Sequence, residues 1–376
     1  MIYSNGCSAE AQCDQIADNT AHTECTQSDT GQTPVPDSSV GNYGWYCAPH
    51  NVSGSAPFGP EVVGVFQCVE LELDWSYNGD TDLTPPSKSL LDSSANSVLA
   101  ELAETHSCAK TYVALGDSYS SGEGAGYYLS GTGNGNGGCD RSENAYPELV
   151  ARALGYSDEP DAENRFVFAA CSGAKTSALF SEFKGEPPQL DELDQDDTLV
   201  TVSIGGNDIG FAPVLKYCLK HKKCEHHEAD VVARDLEKAE GNILNAYLAI
   251  RRQAPLAKIV VVGYPNFMPA TGACHPSAGI LHYLVELSAA DVEFIHGGIE
   301  QLDSEIQSLT AGRQGFVFVR PDAGVWSKHT ICENKRKSWF VPITLTDALS
   351  GHSVTFFHPT AEGQVELATE VKPKAA

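Results

Sequence analysis

Positive charge is scarce in this 376-residue sequence. It carries 24 lysines and arginines against 50 aspartates and glutamates, a formal net charge of −26. A chain with that balance repels phosphate backbones, so nucleic acid is not an expected partner, and anionic lipid surfaces give it no electrostatic help. It also lacks any run approaching the roughly eighteen apolar residues of a membrane span, so none is expected. No internal repeat is present, which excludes solenoids and arrays. Among the twelve cysteines there is no tandem C-x-x-C pair, which argues against a zinc ribbon. An even number of cysteines points instead to disulfides and an oxidising compartment. No basic segment followed by an apolar one opens the chain at Met1. A signal peptide is therefore expected to have been removed or to lie outside this sequence, and the expected location is extracellular. Asn51-Val52-Ser53 fits a glycosylation acceptor, a pattern that also recurs by chance.

What is present suits a globular protein of two parts. Hydrophobic residues make up 41% and charged residues 20% of the chain, enough to bury a core. Residues 1–108 hold six cysteines (Cys7, Cys13, Cys25, Cys47, Cys68, Cys108) and one basic residue, Lys88, against fifteen acidic ones. Partial alternation over Val62–Trp75 predicts a strand, and Ser87–Glu104 a short helix after Thr84-Pro85-Pro86. The reading is a small disulfide-rich, β-rich module. Residues 109–376 read differently. Strands are expected at Thr111–Leu115, Arg165–Ala170, Thr198–Ile204, Lys258–Val262 and Gly315–Val319. Helices are expected at Ala145–Leu154, Asn207–Leu219, Ala229–Gln253, Gly279–Leu309 and Pro359–Val371. Apolar strands between such helices indicate an α/β domain with a mostly parallel sheet covered on both faces.

The chemistry gathers at the expected strand ends. Tyr112–Leu115 runs into Gly116-Asp117-Ser118, which would hold Ser118 at the sheet edge. Taken alone, Gly-Asp-Ser reads as an ordinary turn. Its companions change that reading. Gly173 follows the second strand, and Gly206-Asn207-Asp208 the third. Phe357-His358-Pro359 lies near the C-terminus, with the proline suited to a helix's first turn. Together they offer a nucleophile, Ser118, and a base, His358. They also offer three oxyanion donors: the Ser118 and Gly173 N–H groups and the Asn207 side chain.

These four blocks, in order, resemble the SGNH (GDSL-type) hydrolase superfamily over about residues 110–371. Gly-Asp-Ser-Tyr-Ser-Ser-Gly-Glu-Gly from Gly116, Cys139–Pro147 and Ala170–Ala174 are similar to phrases of its secreted actinobacterial and fungal esterase, lipase and phospholipase branch. The resemblance implies a flavodoxin-like three-layer α/β/α fold, no metal and no organic cofactor. It also implies hydrolysis of carboxylic esters of lipids or other acylated molecules, with a carbohydrate O-acetylesterase as the alternative. Disulfides Cys139–Cys171, Cys218–Cys224 and Cys274–Cys332 are implied as well. Most members carry an aspartate three residues before the histidine, where this chain has Thr355. In the branch it resembles, a backbone carbonyl there can orient the histidine, so a Ser118–His358 dyad aided by the Thr355 carbonyl is expected; a remote Asp322 or Asp347 completing a triad is the alternative, and nothing in the sequence selects either. A rival from another class is a binding protein that acts through residues 1–108.

Several patterns compete with this reading. Gly133–Gly138 fits G-x-G-x-x-G but follows no strand and opens no apolar helix, so it reads as a loop. His221, His226 and His227 beside Cys218 and Cys224 can suggest a metal, or a solvated helix end closed by a local disulfide. Asp117 and Asp208 are expected to brace loops. Ser118 lacks the G-x-S-x-G elbow of α/β-hydrolases. Tyr127, Tyr128 and Leu129 either line an acyl site or pack their own loop. A monomer is expected.

Overall fold

The computed structural model describes residues 110–376 apart from 134–136, 160–161, 163, 196, 222, 277–285, 335 and 344–354. Before residue 110 it describes Ser97 and the backbone of five short strands. The chain divides into two units, Met1–Lys110 and Thr111–Ala376.

In the first unit the strands are β1 (Ile2–Tyr3), β2 (Val35–Pro36), β3 (Tyr43–Cys47), β4 (Glu61–Phe66) and β5 (Val69–Leu73). They pair antiparallel in the order β1-β5-β4-β3-β2. The single strand expected at Val62–Trp75 is instead a hairpin, with Val62 opposite Leu73 and Phe66 opposite Val69. Doubling back pairs backbone groups that one long strand would have to satisfy elsewhere. The helix expected at 87–104 and the pairing of the six cysteines lie outside the described residues.

The second unit is built on β6 (Lys110–Gly116), β7 (Asn164–Phe168), β8 (Leu199–Ser203), β9 (Lys258–Val262) and β10 (Phe316–Val319). Their order in the sheet is β10-β9-β8-β6-β7. The pairs β6–β8, β8–β9 and β9–β10 are parallel. Counted along the chain this is 2-1-3-4-5, the flavodoxin-like order. Side chains alternate between sheet faces, yet Tyr112, Val113, Ala114 and Leu115 are all fully buried, so both faces are covered.

The helices are α1 (Ser118–Ser121), α2 (Tyr146–Leu154), α3 (Phe211–Lys220), α4 (Glu225–Gln253), α5 (Ala289–Thr310), α6 (Ala323–Trp326) and α7 (Ala361–Ala375). Helix α2 packs on α7, and α4 on α5. Several starts differ from expectation because caps, not apolar periodicity, decide them. Helix α3 begins after Gly210, whose left-handed φ of 66° breaks the chain away from Asn207. Helix α4 starts four residues early, with Glu225 and Glu228 favoured in its first turn. A capping box between Ser288 and Asp291 starts α5, and residues 279–285 of the helix expected at Gly279–Leu309 lie outside the described residues. Thr360, not Pro359, leads into α7, its hydroxyl accepting from the Gly363 N–H.

Candidate active site

The sheet order reverses direction between β6 and β8, and a crevice opens at their carboxyl ends. Gly116 is opposite Ser203 in the register. A Cβ on Gly116 would sit 2.4 Å from the Ser203 carbonyl oxygen, and its φ is +128°, so only glycine ends β6 here. The Asp117 N–H donates to that carbonyl at 2.9 Å, which locks the turn. Asp117 then caps α1, accepting from the Tyr119 N–H at 3.0 Å, and Ser118 becomes the first residue of this short helix. It is buried, 6% exposed.

His358 meets Ser118 from the far end of the chain. Its Nε2 lies 2.6 Å from Ser118 Oγ, and its Nδ1 lies 3.2 Å from the Thr355 carbonyl oxygen. The segment is held from several sides. The Tyr119 hydroxyl donates to the Phe357 carbonyl at 3.0 Å, and the Val341 N–H donates to the His358 carbonyl at 2.9 Å. Phe357 sits at φ +71°, an uncommon conformation for a bulky residue, immediately before the histidine. An imidazole placed in this way can take the serine proton, while a carbonyl on Nδ1 fixes its tautomer.

Gly173 and Asn207 line the same crevice as Ser118 and His358. Gly173 has φ +80°. Among the described residues, neither its N–H nor that of Ser118 donates a hydrogen bond. Asn207 Nδ2 donates to the Ala174 carbonyl at 3.0 Å, tying the two loops together and leaving its second N–H uncommitted among the described residues. The disulfide Cys139–Cys171 and the Ser172 N–H bond to the Cys139 carbonyl fix the segment before Gly173. Disulfides Cys218–Cys224 and Cys274–Cys332 lie elsewhere in this unit. Asp208 braces the loop as expected, accepting from both the N–H and the hydroxyl of Thr176.

Other expected residues lie elsewhere. Asp322 caps α6 by accepting from the Gly324 N–H, and Asp347 is outside the described residues. Tyr127 is 79% exposed and the Tyr128 hydroxyl accepts from the Gly124 N–H; neither they nor Leu129 line the cavity. The loop carries them away from it. The apolar wall comes instead from Phe211, Leu215, Phe267, Ile299, Leu302 and Phe356, around a cavity of about 320 Å³. His221 and His227 stack on either flank of Tyr217, with centroids 4.3 and 4.6 Å away, beside the local disulfide.

The GDSL-like lipase/acylhydrolase family matches residues 114–365. The chain belongs to this family. A lipase of Streptomyces rimosus is 33% identical over 258 residues, 68% of this chain and 83% of its own. Lipase 1 of Streptomyces coelicolor is 34% identical over 257 residues, 67% and 82%. The crystal structure of phospholipase A1 from Streptomyces albidoflavus NA297 superposes with a TM-score of 0.56 at 33% identity, covering 71% of this chain and 98% of that one. As a GDSL-like acylhydrolase, the chain is a serine-type carboxylic ester hydrolase.

Two residues of this acylhydrolase escaped the sequence reading. Tyr264, just past β9, donates its hydroxyl to Asp117 Oδ2 at 2.6 Å and accepts from the Gly206 N–H at 2.9 Å. It thereby joins the serine's turn to the loop of Asn207. Burial pushes Asp117 up from 3.8 to about 7, against the lowering effect of its bonds from Tyr264 and Tyr119. Burial likewise lifts Asp303, which accepts from the Tyr264 N–H, to about 7. The second residue is Glu123, 1% exposed, in the phrase Gly122-Glu123-Gly124, whose only sequence signal was its place inside a family phrase.

Proposed function

We propose that the protein hydrolyses acyl-lipid esters by transfer of the acyl group to Ser118. The observation that carries this reading is that the Ser118–His358 pair opens onto a cavity lined largely by apolar side chains. His358 Nε2 takes the hydroxyl proton as Oγ attacks the carbonyl carbon. The oxyanion forms against the N–H groups of Ser118 and Gly173 and the Asn207 amide. The imidazolium then gives its proton to the departing alkoxide, and water, deprotonated by the same nitrogen, releases the acid. Thr355 orients His358 through its carbonyl, so the pair acts as a dyad. Every catalytic role is filled by this chain's own groups, so the proposed reaction calls for no metal. Residues 1–108 are read as a separate module and residues 109–376 as the catalytic region, and the disulfides suit an extracellular enzyme.

The acyl chain is placed along Phe211, Leu215, Phe267 and Ile299. A p-nitrophenyl ester series from acetate to palmitate tests this: kcat/KM should rise beyond acetate, and Leu215→Trp should shift the optimum to shorter chains. Acetate as the best substrate of the native protein would favour a carbohydrate O-acetylesterase. A second observation favours phosphate-bearing lipids among the substrates. In a chain of net charge −26, two lysines, Lys184 and Lys216, line the cavity. Lys184 Nζ lies 4.0 Å from where a Gly173 Cβ would stand. Lys216→Glu should then slow phospholipid hydrolysis more than that of a neutral ester.

A further inference from the structure

The dyad leaves one electrostatic question open. When His358 takes the serine proton it becomes a cation, and the Thr355 carbonyl stabilises that cation less than a carboxylate would. Glu123 is the buried carboxylate beside it. Its Oε2 lies 3.7 Å from His358 Nε2, on the reacting side of the ring and opposite the Thr355 carbonyl. The Ser172 hydroxyl donates to that same oxygen at 2.5 Å and sets its position. The backbone also fixes the pairing. The Glu123 N–H donates to the Ser118 carbonyl at 3.1 Å, and a Cβ on Gly124 would stand 3.1 Å from His358 Cβ. The other oxygen, Oε1, is buried with no hydrogen-bond partner among the described residues. A buried carboxylate oxygen without a partner is costly to keep and asks for a reason beyond packing.

We propose that Glu123 is a positioning residue that acts through His358, supplying from the Nε2 side the negative charge that Thr355 does not offer at Nδ1. At 3.7 Å the contact is beyond hydrogen-bond reach, so it stabilises the imidazolium without capturing its proton. The Nε2–H therefore stays available to the leaving alkoxide, and Ser172 keeps Glu123 aimed while the charge on the ring comes and goes. This inference rests on the Ser118–His358 reading and adds to it a carboxylate on the unexpected side of the ring.

The test compares Glu123→Gln, which keeps the shape and the acceptor for Ser172 but removes the charge, with Glu123→Asp, which keeps the charge. With the charge beside the developing imidazolium removed, kcat of the Gln variant should fall about 10- to 100-fold with KM within about twofold. Inactivation by a neutral p-nitrophenyl phosphonate should slow by the same factor, and the Asp variant should recover at least about threefold of the lost kcat. A Gln variant within about threefold of the native kcat, a loss confined to KM, or an Asp variant as impaired as Gln would each overturn the proposal. If circular dichroism shows the Gln variant unfolded, Glu123→Asp decides alone: a kcat loss beyond about 100-fold overturns it, and a smaller one supports it. Ser118→Ala is assayed alongside. If it stays active, the dyad reading falls and takes Glu123's role with it; if it is dead and Glu123→Gln is not impaired, only the role of Glu123 falls.

Discussion

Removing one oxygen at Tyr264 should uncouple the two loops of the site, with a cost that depends on pH. Tyr264→Phe deletes the hydroxyl that donates to Asp117 Oδ2 at 2.6 Å and accepts from the Gly206 N–H at 2.9 Å. Above pH 7 Asp117 is ionised, and losing a hydrogen bond to a buried charge costs about 1.5–3 kcal/mol; a buried N–H left alone adds about 1–3 kcal/mol. The expected total is roughly 2.5–6 kcal/mol, a large share of a typical domain's stability. The sign of the pH effect follows from Asp117's raised value of about 7. From about pH 4 to 7 the folded state keeps a proton that the unfolded chain releases, so this group's contribution to stability falls as pH rises through that window. The Tyr264 bond lowers the Asp117 value, so the phenylalanine variant extends the window upward. Its deficit should be about 1–2 kcal/mol smaller at pH 5.5 than at pH 8.5, where the carboxylate is charged without its donor. Urea unfolding of both proteins at the two pH values, followed by circular dichroism, measures this. Turnover at pH 8.5 should also fall chiefly in kcat, since Asn207 rides on the loosened loop. A deficit that is equal at both pH values, or larger at pH 5.5, would refute the coupling.

Asn207→Ala should lower kcat by roughly 10²–10³-fold with KM little changed, as for a donor used mainly in the transition state; steady-state kinetics on a p-nitrophenyl ester checks it. Thr355→Ala keeps the carbonyl that faces His358 Nδ1 and should stay within about tenfold of native kcat, where loss of a triad carboxylate costs about 10⁴. Opening the Cys139–Cys171 bridge, by reduction or by the paired Cys→Ala change, should lower kcat more than KM because the Gly173 N–H loses its fixed position. Peptide mapping of the native protein should recover those two cysteines joined.

The parts of the site legible in the sequence were those whose signal is local. Gly116-Asp117-Ser118 announces a strand end because a glycine must stand where β6 meets the Ser203 carbonyl, and His358 lies in a family phrase of its own. Strand positions were legible because unbroken runs such as Lys258–Val262 have few other solutions. Tyr264 was not, since its bond to Asp117 joins residues 147 apart and nothing beside it marks the partner. Glu123 was hidden for the same reason, because its proximity to His358 exists only once the sheet has brought both ends of the chain to one crevice. The helix starts near Asn207 and Pro359 were misjudged because Gly210 and Thr360 decide them through backbone angle and capping. For Tyr127–Leu129 an aromatic cluster alone carries no direction, and the apolar side chains that line the cavity come largely from α3 and α5 instead.

The central claim is that Ser118, activated by His358, is the residue acylated by substrate. Treating the full chain with a p-nitrophenyl phosphonate and mapping the adduct by mass spectrometry tests it most directly. The account predicts one adduct, on Ser118, formed in step with loss of esterase activity, absent from Ser118→Ala and slowed at least about 10³-fold in His358→Ala. An adduct on any other residue that tracks the loss of activity, or undiminished turnover by Ser118→Ala, would contradict it.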